Sequence, residues 1–199
     1  MGPVEFGGKL GQYKWQGWVR KSVLPVPPSA ILTSIKWNCV LKSSLVSFED
    51  FDPSKVLVDR EAIANVNPHR HELALLDGIL FNNEESAVGY IDITEEMFWV
   101  RGHFPGRPLM PGVLICECAA QLSSYFATTT GMVDESYVVG LGGLDNIKFR
   151  GPVVPGDKLI LMLRRGKVRK NAMFTAEFQA FVKESIVAEG VIRGVALRG

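Results

Sequence analysis

His103 and Glu117 stand fourteen residues apart in HFPGRPLMPGVLICECAAQ (103–121), with three prolines and two glycines between them. Imidazole is the usual general base near neutral pH. An ionised carboxylate among apolar residues costs several kcal/mol, so Glu117 needs a reason to be there. Two readings of it stand side by side. In one it is a structural carboxyl group satisfied locally, with Gln121 one helical turn on as the partner. In the other, desolvation raises its pKa and leaves it able to donate a proton.

The loop before the helix bears on that choice. Pro105, Pro108 and Pro111 stiffen it, while Gly106 and Gly112 permit close backbone approach. A fixed base is what proton abstraction requires. Gly112 would open the following helix, where the first N–H groups lack intrahelical acceptors and carry the positive end of the dipole. Such a group suits a developing oxyanion. Base, acid and oxyanion-binding N–H together point to elimination or hydration beside a carbonyl.

The elements that must hold these groups follow from periodicity. From Gly112 to Thr129 the chain has no proline or internal glycine and is apolar or small on nearly every face, which predicts a long helix buried all round. SAVGYIDI (86–93) reads as a strand, and after the helix come five strand candidates: YVVGL, NIKF, KLILML, MFTAEFQAFVK and IVAEGVIRGVAL. In the fourth, Phe174, Ala176, Phe178, Ala180 and Val182 alternate with Thr175, Glu177, Gln179 and Lys183, as a strand with one buried face requires. Pro155-Gly156-Asp157 and Lys170-Asn171 mark turns. A curved antiparallel sheet around one long helix is the expected α+β architecture.

The 199 residues, 47% of them hydrophobic, can bury one sizeable core, and a net charge of +1 gives no global pull toward nucleic acid or membrane. Cys39, Cys116 and Cys118 form no even framework, which fits a reducing, cytoplasmic setting without disulfides. No apolar run approaches a transmembrane length of about 18 residues. Residues 1–58 differ in texture from 59–199. Between Phe6 and Phe48 there is no acid, but there are six basic residues and three tryptophans. That segment is expected to be a basic, poorly structured N-terminal extension, with a flexible tail, an upstream start or an organelle transit peptide as its readings.

HFPGRPLMPGVLICECAAQ closely resembles the signature of bacterial 3-hydroxyacyl-[acyl carrier protein] dehydratases, the FabZ/FabA group of the hotdog fold. FRGPVVPGDKL (149–159) resembles the segment that follows the central helix in that group, and NPHRHELALLD (67–77) its opening segment. The resemblance spans roughly residues 60 to 199. It implies a hotdog sheet wrapped on one helix, with His103 as base, Glu117 as acid and the Gly112 N–H on the thioester carbonyl. The implied reaction is dehydration of a (3R)-3-hydroxyacyl-[acyl carrier protein] to the trans-2-enoyl thioester in fatty-acid synthesis, without cofactor or metal. Glutamate rather than aspartate favours the plain dehydratase over the dehydratase/isomerase. The resemblance also implies a homodimer with shared active sites, or a trimer of such dimers. Alternatives are a specialised dehydratase/isomerase of another lipid or polyketide pathway, and a non-catalytic acyl-thioester binder. The chain departs from the family at His71-Glu72, where an aromatic and a proline are usual, and at Gly78 after Asp77.

Other residues carry weaker signals. Gln121, Phe104, Leu109, Met110 and Pro111 are candidates for a substrate tunnel or for support of the catalytic pair, plain packing being the other reading. Arg107, Lys148, Arg150, Arg164, Arg165 and Lys167 belong to a basic patch. It is either a solvated sheet edge or a landing surface for acidic acyl carrier protein or the phosphates of CoA. His69 and His71 form an H-x-H without a third ligand at suitable spacing, so no metal site is expected.

Overall fold

The computed structural model describes residues 43–198; the greater part of the basic extension, residues 1–42, lies outside the described residues. A short strand, β1 (Val58–Asp59), leads into the helix α1 (Arg60–Ala64), capped by the Asp59 carboxylate on the Ala62 N–H at 2.8 Å. A 3₁₀ turn at His71–Leu73 follows, then β2 (Gly78–Asn82) and β3 (Ser86–Asp92). The loop of 102–111 then enters the long helix α2 (Gly112–Thr129). Four long strands complete the chain: β4 (Tyr137–Phe149), β5 (Lys158–Arg169), β6 (Met173–Val182) and β7 (Ser185–Arg198).

All strands pair antiparallel in one sheet of order β1-β2-β3-β5-β6-β7-β4, and α2 packs against five of them. This is the hotdog architecture. Leu159, Leu161 and Leu163 of β5 and Phe174, Ala176, Phe178 and Ala180 of β6 point inward to the helix, where Leu122 and Phe126 are fully buried. A close approach permits this wrapping. A Cβ placed on Gly89 of β3 would come within 3.1 Å of the Leu122 side chain. The helix ends at Thr130, whose N–H and hydroxyl both donate to the Phe126 carbonyl, just before Gly131 at φ +70°.

The structure differs from the periodic reading in three places. YVVGL and NIKF are one strand rather than two, because irregular pairing with β7 at Leu141/Gly143 and at Asp145/Lys148 lets β4 bend and continue. The helix is not buried all round, since Val113 in its first turn is 72% exposed. The outer face of the sheet is not purely polar either. Leu80, Val88, Ile160, Met162 and Phe181 form a second apolar cluster there, covered by Val46 and Phe51. Gln179 is buried beneath this cover, its Oε1 accepting from the Leu45 N–H and its Nε2 donating to the Ser43 carbonyl. These contacts come from residues that composition alone assigns to the extension.

Cys116 and Cys118 are free and buried, and burial pushes both thiols up. Among the described residues no helix is long and apolar enough to cross a membrane. The core makes a direct prediction. Phe126→Ala removes a fully buried ring and should lower the unfolding free energy by about 3–5 kcal/mol in urea titration. A loss below about 1 kcal/mol would show that the sheet closes around α2 without that ring.

Candidate functional site

The His103 loop is held from both sides by backbone hydrogen bonds. The His103 N–H donates to the Trp99 carbonyl at 2.8 Å, and the His103 carbonyl accepts from the Leu109 N–H at 2.8 Å. Phe104 and Arg107 exchange two further bonds across the turn, and the Phe104 ring stacks on the imidazole with centroids 4.1 Å apart. Met110 N–H donates to the Val153 carbonyl at 2.8 Å. The PVVPGD segment therefore anchors the loop, and it is itself closed by the Asp157 carboxylate on the Val154 N–H.

The imidazole has a defined tautomer. Its Nδ1 lies 2.6 Å from the Leu109 carbonyl oxygen. A carbonyl can only accept, so the neutral ring carries its proton on Nδ1 and presents the lone pair on Nε2. That is the arrangement of a general base. Immediately beyond, Gly112 is the first residue of α2, behind Pro111, which offers no side-chain cap. A Cβ on Gly112 would lie 2.7 Å from the Phe149 ring, so this helix start is closed to larger residues unless that ring moves.

Glu117 sits one and a half turns further on and is 31% exposed, more open than a fully apolar helix predicts. Its Oε1 accepts from Gln121 Nε2 at 2.9 Å, the pairing that the i,i+4 spacing allows. Gln121 is only 2% exposed and fully engaged: its Oε1 accepts from the Leu75 N–H at 3.1 Å and its Nε2 also donates to the Leu73 carbonyl at 2.7 Å. The backbone of α2 joins in, because Asn67 Nδ2 donates to the Gln121 carbonyl at 2.9 Å. His69 Nε2 stands 3.4 Å from the same Glu117 oxygen. Sequence spacing offered no sign of this contact, since His69 and Glu117 are 48 residues apart and the H-x-H pattern drew attention to metal instead. His71 is exposed at φ +55°, and among the described residues no three His, Cys, Asp or Glu side chains converge as a metal site would need.

His69 and Glu117 line a cavity of about 220 Å³ with Ala120, Ser123, Ser124, Val139 and Ile192 among its walls. Leu109, Met110, Pro111 and Phe104 are not in this lining. Met110 is packed in the core, Phe104 is half exposed, and Leu109 acts through its carbonyl on His103. Among the described residues no hydrogen bond or ion pair joins His103 to Glu117 within one chain.

Three of the six candidate docking residues are matched by acids from neighbouring parts of the sheet. Arg150 pairs with Glu189 and Arg164 with Glu177, while Arg165 lies 3.9 Å from Glu85. Arg107, Lys148 and Lys167 are exposed and have no acidic partner among the described residues.

One antiparallel sheet wrapped on one long helix, with a histidine loop at the helix start and a carboxyl group inside it, defines a hotdog protein. Residues 67–191 match the model of the FabA-like domain, and the chain belongs to that family. It is 40% identical over 132 residues to a 3-hydroxyacyl-[acyl-carrier-protein] dehydratase FabZ of Syntrophobacter fumaroxidans, covering 66% of this chain and 89% of the relative. It is 34% identical over 144 residues to a bifunctional LpxC/FabZ enzyme of Chlorobaculum tepidum, covering 71% of this chain but 30% of that longer protein. Two solved structures share the fold. The dehydratase heterocomplex ApeI:P of Xenorhabdus doucetiae superposes with TM-score 0.58 at 12% identity, over 67% of this chain and 90% of that one. The E. coli PaaI protein from the phenylacetic acid degradation operon does so with TM-score 0.51 at 18% identity, over 68% and 88%.

The Gln121 amide gives a prediction. In Gln121→Leu the buried Leu75 N–H loses its acceptor, at a cost of about 1–3 kcal/mol. Chemical denaturation should show a loss in that range, and an unchanged midpoint would mean that the amide is not a structural tie.

Proposed function

We propose that the chain dehydrates (3R)-3-hydroxyacyl-[acyl carrier protein] to the trans-2-enoyl thioester in fatty-acid synthesis. The observation that carries this reading is the His103 tautomer, fixed by the Leu109 carbonyl with Nε2 free as base beside the open start of α2. Membership of the FabA-like family and the FabZ relative at 40% identity support it.

In the proposed reaction His103 Nε2 takes a proton from C2. The electron pair left on C2 delocalises onto the thioester carbonyl, where the Gly112 N–H and the helix dipole stabilise the negative charge. That pair then forms the C2–C3 double bond as the C3–O bond breaks. Glu117 gives its proton to the leaving oxygen, so one water is released and one proton has moved from substrate to base and one from acid to product. Reversal hydrates the enoyl thioester through the same groups.

The base and the acid must meet, and within one chain they share no bond. We infer that a second copy brings its Glu117 to this His103. The thirteen-residue β4 lies at the sheet edge and exposes Val138, Leu141, Leu144 and Phe149. An apolar edge of that length would be an aggregation liability in a lone protomer, and pairing with a second copy covers it. A homodimer with two shared sites follows, and acyl carrier protein is the natural thioester donor. Arg107, Lys148 and Lys167, unmatched by acids, are the candidates for contact with its acidic surface.

Enoyl formation from purified 3-hydroxyacyl-[acyl carrier protein] tests the activity. His103→Ala and Glu117→Gln should each lower kcat/KM by about 100-fold or more. Undiminished turnover in either variant would remove that residue from the mechanism. Docking has its own readout. Lys148→Glu combined with Lys167→Glu should raise KM for the carrier-protein substrate at low salt, with the difference shrinking as salt screens it. Equal KM values at low salt would place the carrier protein elsewhere.

A further inference from the structure

Glu117 has two oxygens, and a proton carried on the wrong one would face the protein instead of the substrate. The hydrogen bonds around Gln121 decide between them by a chain of fixed roles. The Leu75 N–H can only donate, so the Gln121 atom 3.1 Å from it is the amide oxygen. The opposite end of that amide is then the NH₂ group, which donates to the Leu73 carbonyl and to Glu117 Oε1. An oxygen held by a donor there is the better carbonyl oxygen of the acid, which favours the proton on its neighbour. His69 Nε2 lies 3.4 Å from the same Oε1. Its Nδ1 is buried with no partner. A buried N–H without an acceptor is rare and costly, whereas a neutral imidazole with its lone pair on Nδ1 leaves no donor stranded. The neutral ring therefore carries its proton on Nε2, aimed at Glu117.

We propose that His69 is a positioning residue: its Nε2–H and the Gln121 amide both hold Oε1 of Glu117, favouring the acid proton on Oε2, which has no hydrogen-bond partner among the described residues. The 3.4 Å separation is long for a hydrogen bond, and contacts of this kind tighten when substrate fills a site. The consequence is preorganisation. Glu117 never spends its proton in a bond to its own support, and the carboxyl plane is fixed by two donors on one side. His103 and His69 would then hold opposite tautomers, the first with its proton on Nδ1 to free Nε2 as a base, the second on Nε2 to serve as a donor.

This inference rests on the reading of Glu117 as the acid, but one of its tests does not. The chain has only three histidines, so ¹⁵N-histidine spectra can be assigned by the signals lost in His69→Gln. With the ring neutral, His69 should show a pyrrole-type Nε2 and a pyridine-type Nδ1; the reverse pattern overturns the proposal whatever the enzyme does. Kinetics supply the second arm. His69→Leu removes the donor and should lower kcat roughly 10–100-fold, the worth of a hydrogen bond to a charged group, with KM little changed. His69→Gln keeps an N–H donor and should lose several-fold less. Equal losses in the two variants, or a loss confined to KM, would make His69 a packing residue. Absence of dehydration by the wild-type protein would defeat the reading of the reaction and still leave the tautomer decided by the spectra.

Discussion

The buried amide of Gln121 ties the site to the fold. One end accepts a backbone N–H from Leu75, and the other gives hydrogen bonds to the Leu73 carbonyl and to Glu117. An amide taken out of water costs several kcal/mol unless its bonds are made, so this side chain is committed to one orientation. That commitment docks the segment after the His71–Leu73 turn onto α2 and fixes how Glu117 lies. With Asn67 holding the Gln121 carbonyl, the region of 67–75 and the middle of the helix form one hydrogen-bonded unit. The three stretches that carry the family resemblance each serve this positioning. NPHRHELALLD holds Gln121 and lies beside Glu117, FRGPVVPGDKL anchors the loop through Val153, and HFPGRPLMPGVLICECAAQ carries His103, Gly112 and Glu117.

The long helix and the outline of the sheet were legible because burial imposes a period. An apolar segment of eighteen residues without Pro or internal Gly has few alternatives to a core helix, and the alternation of β6 admitted only one face toward it. Irregularity was not legible. The bend in β4 depends on local pairing with β7, and no two-residue period survives across it, so one strand looked like two. The short β2 and α1 were also missed, because their sequences are too brief for a period to register. The outer apolar cluster escaped notice because its cover comes from Val46 and Phe51, distant in sequence and set among polar and charged residues that show no strand or helix period.

The site divides along the same line. His103, Glu117 and Gly112 were singled out from residue type against a contrasting background: an imidazole in a stiff loop, a carboxyl group among apolar residues, a glycine at a helix start. Gln121 was found from the helix repeat. His69 could not be found in that way, because its contact with Glu117 is made by tertiary folding across 48 residues. The basic patch shows the opposite error. Counting charges along β4 and β5 alone made it look unbalanced, yet β6, β7 and the β2–β3 turn bring Glu177, Glu189 and Glu85 to it. Charge on a sheet is balanced between neighbouring strands rather than along one, and of the six candidate docking residues Arg107, Lys148 and Lys167 have no acidic partner among the described residues.

These positions explain why the carboxyl group can sit in a helix that otherwise reads as core. Glu117 is neither fully buried nor left to solvent: one oxygen accepts from Gln121 on the protein side with His69 Nε2 3.4 Å away, and the group borders a cavity lined by Ser123, Ser124 and Val139. A carboxyl group with both oxygens satisfied internally would be a good structural element and a poor acid, since giving up its proton would disturb two bonds. One in open water would be a poor acid for a different reason, having lost its proton at neutral pH. In the proposed reaction the half-held arrangement leaves one oxygen free of the protein side to meet the substrate. It demands that the free oxygen meet a base which the same chain keeps elsewhere, on the far side of the proline loop. In the proposed dimer a second copy satisfies that demand and covers the exposed apolar edge of β4 together, which would make dimerisation and catalysis one requirement on the sequence.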